Sequence, residues 1–471
     1  MFKPYKLVLT GSLVLLGASS CSDLLVTEPK QSISSAVALT DITGLRSLLI
    51  SVYDRLQPAT YYGQRMMIAP EIMADNVRLA NQNSNRYFNE RVNAPNAHMQ
   101  QYWDNYGGIN EANFILSGID GANTTGVEKT QIKGEALFLR ALLYFDMARV
   151  FAYEPKKIVN GFDKGLILRT TPTDDASKAT FEARATVEQT YQQIEKDLKD
   201  AIELLPAMAA ATNRQRANKA AAQGLLSRLY LYWEKYPECI QLATDAMASP
   251  AARLVTGAQY AAAFTASPNP ESLFEINYVQ ATESLGSNES LHSLTNPPSV
   301  TTGNWGDVVF TTELLNLYDA ADARRAAFYA STKSGEAVTF SRKYSGARGA
   351  FTDNVPVMRY SELLLIRAEA YAASGDNVKA QADLNTLRAR AGVTPVAATV
   401  TGQALIDAIL TERRLELVLE GHRFFDLKRR GLTITKASLS AVVPYTDYRI
   451  LAPIPTAQVQ LNTKLQQNPG Y

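Results

Sequence analysis

Cysteine and histidine are scarce in this chain of 471 residues, which contains two cysteines and three histidines. Two cysteines cannot build a disulfide framework, and neither lies in the CxxC or Cys/His spacing of a zinc module. The histidines, His98, His292 and His422, form no HxxxH or HExxH pattern. We therefore expect no metal site and no cofactor.

An excess of charge of one sign is also missing, because 47 lysines and arginines stand against 46 aspartates and glutamates. Proteins that bind nucleic acid normally carry a surplus of lysine and arginine, so we expect no nucleic-acid partner. Beyond residue 20, no apolar run of the sequence is long enough to cross a hydrocarbon core about 30 Å thick. A DNA-binding protein and a polytopic membrane protein are therefore not expected.

The first twenty residues are typical of a bacterial export signal. Two lysines precede an apolar stretch at 7–18, and two serines come before Cys21. As a helix this stretch would span about 18 Å, which is too short to cross a membrane. A cysteine at the cleavage position resembles the bacterial lipoprotein signal, in which that residue is acylated. We predict a signal peptide at 1–20, lipidation at Cys21 and a lipidated tether at 21–35; a plain signal peptide with a chance cysteine is the alternative.

Helical periodicity dominates the rest of the chain. In Glu128–Phe151 the apolar residues follow one another at steps of three and four, which places them on one face of a helix. Similar stripes predict further helices at Val187–Leu205, Lys219–Trp233, Met358–Ala373, Val378–Arg390 and Leu405–Leu427.

Two of these regions share the register of a tetratricopeptide helix pair. Around Tyr371 and Tyr230, small or apolar residues occupy the same offsets of −3, +9, +13 and +16 from the tyrosine. They are Ala368, Ala380, Leu384 and Leu387 in one region, and Ser227, Cys239, Ala243 and Ala246 in the other. Gly375-Asp376 is a typical end of one helix and start of the next. We predict two helical hairpins, with Cys239 as a small buried residue rather than a nucleophile.

Two long stretches lack periodicity, the Asn-rich Gln82–Gln101 and the segment Ser267–Ala350. The second contains short β-like runs such as Leu273–Tyr278. Loops of this length are usually functional or disordered, and their aromatic residues favour ordered structure. The predicted fold class is mostly α: a single large helical body with tetratricopeptide-like helix pairs and long irregular loops that carry a few short strands.

Seven segments form a recognisable set when they are taken in order: Tyr102–Leu116, Gly134–Asp146, Arg359–Ala370, Leu384–Gly392, Glu412–Gly431, Leu451–Pro455 and Gln467–Tyr471. The longest reads ERRLELVLEGHRFFDLKRRG, and the chain closes on QNPGY. Each segment alone is only moderately specific. The ordered set, together with the lipoprotein signal, resembles the SusD/RagB family of Bacteroidetes surface lipoproteins.

The resemblance implies a SusD-like α-helical domain at 36–471 with an irregular ligand-binding insert at about 267–350. It also implies a function, since such proteins sit as a lid on a SusC-like TonB-dependent outer-membrane barrel and capture a nutrient, usually an oligosaccharide, without covalent chemistry. The protein is then expected at the outer membrane, held by its N-terminal lipid and facing outside.

Two alternatives remain open. One is a RagB-like peptide-binding protein, in which Arg86 and Asp75 would meet peptide termini or charged side chains, and the other is a glycoside hydrolase.

Three carboxylates are the strongest candidates for catalysis. Glu412, Glu416 and Glu420 are four residues apart, which places them on one face of the helix predicted at Leu405–Leu427, with His422 beyond. Such a cluster could bind a metal or hydrolyse a glycoside. The same segment is rich in cations, which favour an ion-pair network instead: Arg413, Arg414, Arg423, Lys428, Arg429 and Arg430. The sequence has no GxSxG, GxGxxG or Walker loop, so we predict no catalytic residue and no enzyme.

Sugar binding requires flat apolar faces and planar polar groups. Trp103 lies in one of the family-like segments and Trp233 in a repeat helix, so both are predicted to be core residues. Trp305 stands in the sequence TTGNWGD between two glycines, where a tryptophan is hard to bury. Trp305 and the neighbouring Asn304 are therefore predicted to line the ligand site.

The resemblance adds ligand contacts from the segment that follows the first helix. In this chain the segment includes Tyr61, Tyr62, Asp75, Asn81, Asn83, Asn85 and Arg86. No motif match assigns any of them, so each is predicted to contact the ligand from its position alone.

Overall fold

The computed structural model of the chain describes residues 41–94, 99–208, 214–279, 282–436 and 441–471. The predicted signal peptide at 1–20, the lipidation site Cys21 and the tether at 21–35 lie outside the described residues, as does His98. The described part is mostly helical, with helix pairs, long irregular segments and short strands. The predicted fold class is confirmed.

Helices carry most of the regular structure. They are α1 (Ile42–Asp54), α2 (Arg65–Met73), α3 (Phe88–Arg91), α4 (Tyr106–Gly118), α5 (Gly126–Phe151), α6 (Val187–Leu204), α7 (Lys219–Trp233), α8 (Tyr236–Met247), α9 (Tyr260–Ala263), α10 (Gly286–Glu289), α11 (Leu291–Thr295), α12 (Thr312–Leu315), α13 (Tyr360–Ala373), α14 (Asn377–Ala391), α15 (Gly402–Glu416), α16 (Arg423–Arg429) and α17 (Thr456–Leu461). The strands are β1 (Val77–Leu79), β2 (Ser272–Ile276), β3 (Val308–Phe310), β4 (Phe328–Lys333), β5 (Glu336–Ser341), β6 (Val355–Arg359), β7 (Ile434–Lys436) and β8 (Ala441–Val443).

Both predicted helical hairpins are present, as α7 with α8 and as α13 with α14. The side chain of Asn218 caps α7 by accepting a hydrogen bond from Ala221 N at 3.0 Å, and Asp376 caps α14 by accepting one from Lys379 N at 3.1 Å. Because α8 also packs against α13, the two hairpins form one stack. Cys239 is fully buried in this stack, as predicted.

Helix α5 differs from the amphipathic helix that its sequence stripe predicts. From Gly134 to Phe151 every residue of α5 is buried, because α1, α4 and α6 all pack around it. Polar residues on its buried faces find partners inside the protein; Arg140, for example, donates to the two carboxylate oxygens of Asp197 on α6 at 2.5 and 2.8 Å. The helix therefore forms the centre of the N-terminal half rather than its surface.

The single helix predicted at Leu405–Leu427 is wrong, because the structure divides it into α15 and α16. Between them Leu419 and Gly421 adopt positive φ angles of 62° and 74°, which no helix can accommodate. A Cβ atom on Gly421 would lie 2.1 Å from the carbonyl oxygen of Met66, so only glycine fits against α2 at this point. The apolar periodicity continues past the end of α15, but Glu420 lies beyond the helix that carries Glu412 and Glu416.

The strands of the described residues form four two-stranded antiparallel pairs, β1–β3, β2–β6, β4–β5 and β7–β8. Strand β2 confirms the β-like run predicted at Leu273–Tyr278. The β1–β3 pair joins Val77 to Phe310 and Leu79 to Val308, and Ala80 N donates to Asp307 O at 2.8 Å. This pairing brings the Asn-rich segment after β1 beside the loop that precedes β3, which contains Trp305.

Candidate functional site

The loop that carries Trp305 is held from beneath by buried polar groups. The main-chain N–H groups of Trp305 and Gly306 donate to Ser293 O at 3.0 and 2.8 Å. His292 is buried and contacts Tyr344 O through Nδ1 and Thr301 Oγ1 through Nε2, both at 3.0 Å. A main-chain carbonyl can only accept, so Nδ1 carries the proton and Nε2 accepts from Thr301. Burial lowers the pKa of His292, which favours this neutral ring.

Of the three tryptophans, only Trp305 presents its ring to solvent. Its side chain is 39% exposed, whereas Trp103 is 5% and Trp233 is 2% exposed. The predicted core positions of Trp103 and Trp233 are confirmed. Gly303 and Gly306 both have positive φ angles, 93° and 59°, and these turns point the indole out of the loop rather than into the core.

Arg86 lies over the Trp305 ring, with its guanidinium carbon 5.1 Å from the ring centre. Asn288 fixes both groups, since its Oδ1 accepts hydrogen bonds from Arg86 Nη2 and Trp305 Nε1 at 3.1 Å each. Its main-chain oxygen accepts another bond from Arg86 Nη1. The indole and the guanidinium therefore form a fixed, partly exposed flat surface.

This surface borders a cleft of about 440 Å³, which we call the Trp305 cleft. It is lined by Gln82, Asn83, Pro297, Pro298, Ser299, Asn304, Trp305, Asp307, Thr332, Lys333 and Ser334. Lys333 Nζ donates to Trp305 O at 2.7 Å and lies 3.3 Å from Asp307 Oδ1, so the two charges in the wall compensate each other. Asn304 is buried, and its Oδ1 accepts no hydrogen bond from the described residues. The cleft therefore offers an aromatic face, amides and hydroxyl groups.

A second cleft, of about 460 Å³, contains Arg86, whose guanidinium lies over Trp305 of the first cleft; we call it the Phe88 cleft. It is lined by Thr60, Gln64, Arg65, Asn85, Arg86, Tyr87, Phe88, Asn89, Glu90, Gln100, Gln101 and Glu289. Phe88 is 47% exposed. Gln64 is buried, and its Nε2 finds no acceptor in the described part of the chain. The chemistry of the two clefts is similar, with one exposed ring in each and many amide groups.

The structure brings together most of the residues predicted from the sequence. Asn83, Asn304 and Trp305 line the Trp305 cleft, and Asn85 and Arg86 line the Phe88 cleft. Asn81 is exposed beside them, where its main-chain N donates to Glu336 Oε2 at 2.7 Å.

Tyr61 and Tyr62 do not belong to this group. Both are buried, at 3% and 2% exposure, and their hydroxyl groups donate to Asp146 Oδ2 at 2.5 and 2.8 Å. Burial raises the pKa of both phenols well above the usual value. Neither tyrosine therefore reaches the two clefts, contrary to the position expected for a ligand contact, and both hydroxyl groups satisfy a buried carboxylate of α5.

Asp75, which was also predicted to contact the ligand, lies outside the two clefts. Its carboxylate accepts two hydrogen bonds from Arg423, at 2.6 and 3.0 Å, and lies 3.3 Å from Arg414. Burial alone would raise the pKa of Asp75, but Arg423 and Arg414 hold it below the ordinary value. Asp75 lines neither the Trp305 cleft nor the Phe88 cleft, and its oxygens are already bound.

The three glutamates proposed for catalysis are buried and paired, which confirms the predicted ion-pair network. Glu416 contacts Arg359 at 2.7 Å, Arg390 at 2.5 Å and Arg324 at 3.3 Å. Burial would raise the pKa of Glu416, but these guanidinium groups hold it well below the ordinary range. Glu412 and Glu420 have similar partners, at 2.5 to 2.9 Å: Arg324 and Arg388 for Glu412, Lys343 and Arg359 for Glu420.

The predicted partners were wrong, because the cations of the Glu412–Gly431 segment pair with other residues. Arg413 contacts Asp426, Lys428 contacts Glu154, Arg429 contacts Glu369, and Arg414 and Arg423 contact Asp75. Among the described residues, no group of three or more acidic, histidine or cysteine side chains could hold a metal ion. None of the described helices is long and apolar enough to cross a membrane.

Several residues of the clefts were missed by the sequence reasoning. Gln64, Gln82, Asn288, Lys333 and Ser334 contribute polar groups to the two clefts or to the Arg86–Trp305 contact. Asn288, Lys333 and Ser334 lie within the irregular segment predicted at about 267–350, which was the only signal for them. Gln64 carries no such signal, since it directly precedes the buried helix α2.

Two family models match the chain. One is described as "Starch-binding associating with outer membrane" and matches residues 26–231; the other is the SusD family, and it matches residues 337–471. Together they cover more than two thirds of the 471 residues.

Individual relatives agree with these matches along the whole chain. The SusD-like protein P2 of Formosa agariphila is 24% identical, over 100% of both chains. The crystal structure of a SusD superfamily protein from Bacteroides vulgatus is 28% identical and covers 92% of this chain and 99% of its own, with a TM-score of 0.81. The structure of a laminarin-binding SusD-like protein is 25% identical and covers 92% and 100%, with a TM-score of 0.74.

Proposed function

The chain belongs to the SusD/RagB family, and from this premise we propose that it captures an oligosaccharide at the cell surface and delivers it to a SusC-like TonB-dependent transporter. The names of its relatives refer to starch and to laminarin, both of which are glucans. A neutral glucan oligosaccharide is accordingly the proposed ligand.

The observation that carries this proposal is the exposed Trp305 ring with Arg86 fixed over it. Sugar rings stack their C–H faces on aromatic rings, and their hydroxyl groups pair with amides and guanidinium groups. The Trp305 cleft supplies both kinds of group, and its nearly balanced charge suits a neutral ligand. The Phe88 cleft repeats this arrangement on the other side of Arg86, so a chain of several sugars could occupy both.

Peptide binding receives less support from the same geometry. A peptide ligand would require charged groups for its termini. Of the two residues proposed for that role, Asp75 is bound by Arg423 and Arg414 outside the Trp305 and Phe88 clefts, and Arg86 is bound to Asn288. Hydrolysis is not proposed either, because the three clustered glutamates are buried and neutralised by arginines and Lys343.

The anchor and the partner complete the proposal. We propose that Cys21 is acylated after removal of residues 1–20, and that the lipid holds the protein at the outer membrane. The outer-membrane association in the family description supports this placement. A pull-down from solubilised outer membranes with a C-terminal tag should recover a TonB-dependent barrel at close to equal stoichiometry. Recovery of the acylated protein alone would argue against the transport partnership while leaving glycan binding open.

Glycan capture is tested by titrating laminarin, starch and their oligosaccharides into the purified protein by calorimetry. The variant Trp305→Ala should weaken binding of the preferred glucan by about 1–3 kcal/mol, because a stacked aromatic face is lost. Trp305→Phe should recover part of this loss. The matched control is Phe181→Ala, since Phe181 is also an exposed aromatic residue, at 45%, but lines neither cleft. Unchanged affinity in Trp305→Ala would remove the Trp305 cleft from the binding site.

A further inference from the structure

A third cleft, of about 210 Å³, has more cations than anions in its lining, and we call it the cation cleft. Its lining residues are Ile72, Ala74, Asp75, Val77, Arg78, Arg91, Thr311, Glu313, Arg414, Thr435 and Lys436. Four of them are basic and two are acidic. The residues come from the end of α2, from β1, from the end of α3, from the start of α12, from α15 and from β7.

Two of the four cations are already compensated. Arg78 contacts Glu336 at 2.7 Å. Arg414 lies 3.3 Å from Asp75 and donates through Nε to Asn76 Oδ1 at 2.7 Å. These arginines form part of the wall and need no further partner.

Lys436 and Arg91 are different, because neither has a carboxylate oxygen within 4 Å in the described part of the chain. Lys436 is 5% exposed, and within the described ranges its ammonium donates only to the main-chain oxygens of Glu90 at 3.2 Å and Arg91 at 2.8 Å. The Nε of Arg91 is buried and has no acceptor among the described residues. The guanidinium of Arg91 lies over the Phe88 ring, 4.7 Å from its centre.

The segments that follow these two cations in the sequence cannot supply the missing charge. Residues 95–98 are Pro-Asn-Ala-His and residues 437–440 are Ala-Ser-Leu-Ser, so neither contains an acidic side chain. Burial, more than any nearby charge, lowers the pKa of Lys436 to about 7. A buried cation without a counter-ion is costly, so an anion that enters the cleft would be bound by charge-assisted hydrogen bonds.

Arg184, another buried arginine, shows how a cation without a carboxylate partner can be satisfied by hydrogen bonds within the protein. Arg184 also lacks a carboxylate, but its guanidinium donates to five acceptors: Gly165 O, Gln466 O, Asn468 Oδ1, Phe151 O and Lys164 O. Every N–H direction of that guanidinium is used. Among the described residues, by contrast, Arg91 Nε has no acceptor and Lys436 donates to two main-chain oxygens alone, and both side chains line a cavity.

We propose that the cation cleft binds a small oxyanion, a carboxylate or a sulfate group, which accepts hydrogen bonds from Lys436 and Arg91. The site is separate from the Trp305 cleft and does not depend on glucan capture there. An anionic sugar and a free inorganic anion share this chemistry, and the probes must tell them apart.

The test compares D-glucuronate, D-glucose and inorganic sulfate by calorimetry and by thermal unfolding of the full chain. Glucuronate and glucose share a ring and differ in the carboxylate, so glucuronate should bind and raise the melting temperature while glucose should not. Stabilisation by sulfate without glucuronate would assign the cleft to a free inorganic anion. Absence of any response to both anions would overturn the proposal.

Three variants locate the binding. Lys436→Met and Arg91→Met should each weaken anion binding at least tenfold, whereas Lys196→Met, which removes an exposed lysine of α6 paired with Asp200, should not. A buried methionine usually preserves stability where an unpaired cation is removed, and Arg91 is only half-buried, so at least one variant should fold. Equal anion binding in both cleft variants and the wild type would place the anion elsewhere and refute the site.

Proton linkage gives an independent readout. If Lys436 takes up a proton when the anion binds, calorimetry in buffers of different ionisation enthalpy should show uptake approaching one proton at about pH 8 and little at about pH 6. This uptake should disappear in Lys436→Met. Anion binding without any such linkage at either pH would exclude Lys436 as the group that binds it.

Discussion

Arg359 in the buried ion-pair cluster and Arg86 beside the Trp305 cleft have different roles. In the buried ion-pair cluster, Arg359 contacts Glu416 at 2.7 Å, Glu420 at 2.6 Å and Glu271 at 2.9 Å and is 2% exposed. At the edge of the Trp305 cleft, Arg86 has no carboxylate within 4 Å among the described residues and instead lies over an exposed ring beside Asn288. Arg359 donates through all three of its guanidinium nitrogens and is closed to solvent, whereas Arg86 lies at a surface that is open to a ligand.

The difference teaches that completeness of pairing, rather than residue type, separates a structural polar cluster from a binding surface. A buried charge whose partners are complete has no donor left for a ligand, unlike Lys436 and Arg91 of the cation cleft. Polar groups that remain exposed to solvent can replace bound water by sugar hydroxyl groups at little cost in free energy. The following predictions test this comparison in order of decreasing effect.

The largest effect is expected when the buried cluster loses its central cation. Arg359→Met leaves Glu271, Glu416 and Glu420 with fewer positive partners in a dry environment, and it should lower the free energy of unfolding by at least about 3–5 kcal/mol. Denaturant unfolding of the purified variant measures this change. A loss below about 1 kcal/mol would mean that water already solvates the cluster, and the contrast with Arg86 would fail.

A second prediction concerns Asp353, a buried carboxyl group near the Trp305 loop. It accepts hydrogen bonds from Gly346 N at 2.9 and 3.2 Å, but no cation of the described residues contacts it. Burial raises the pKa of Asp353 to about 7, whereas Arg228 overcomes the same effect at Glu362 and lowers its pKa to about 2. The two carboxyl groups should therefore respond to pH in opposite ways.

The sign follows from the unfolded chain, in which an aspartate titrates near pH 4. The folded protein keeps the Asp353 proton up to about pH 7, so the stabilising contribution is complete below about pH 4 and is lost as the pH rises through 7, by roughly 2–4 kcal/mol. Unfolding measurements at pH 5 and pH 8 should show this loss in the wild type and not in Asp353→Asn, which keeps an acceptor for Gly346. The same pH dependence in both proteins would contradict the assignment.

A smaller effect, on binding alone, is expected at Arg86. Arg86→Ala removes the guanidinium that lies over Trp305 and should weaken glucan binding by about 1 kcal/mol, as expected for a partly exposed cation–π and hydrogen-bonding group. The free energy of unfolding should stay within about 0.5 kcal/mol of the wild type. A large loss of stability with unchanged affinity would reverse the roles that the comparison assigns to the two regions.

The smallest effect is expected for Arg46→Met, which is the matched control for Arg359→Met. Arg46 also forms an ion pair, with Glu128, but its side chain is 52% exposed. Arg46→Met should cause no measurable change in unfolding or in glucan binding, because water and salt already screen an exposed pair. If this variant were as destabilising as Arg359→Met, burial could not be the property that distinguishes the two pairs.

Sequence reasoning was most successful where the signal is local. The hairpins around Tyr230 and Tyr371 and the buried positions of Trp103 and Trp233 follow from spacing over a few helical turns, and the structure confirms them. The exposed position of Trp305 follows in the same way from its flanking glycines. Local reasoning failed at Glu420, because the helical spacing continued across a break that the backbone of α2 imposes at Gly421.

The sequence could not identify the partners of polar side chains, which are set by distant parts of the chain. Asp75 pairs with Arg423, 348 positions away, and Tyr61 binds Asp146, 85 positions away. Both residues follow the first helix and looked equivalent to Asn83 and Arg86 as ligand contacts. Only the packing of α5 and the position of Arg423 show that their polar groups are already used.

The sequence by itself determined the family, the helical body, the two hairpins and an exposed aromatic loop, because each depends on short-range spacing or on an ordered set of segments. Tertiary structure alone decided which charges are buried and paired, which asparagines reach the Trp305 and Phe88 clefts, and which two cations of the cation cleft have no carboxylate partner in the part of the chain that the structure describes. The physical reason is that the cost of a polar group depends on its access to water, and access to water is a property of the packed chain.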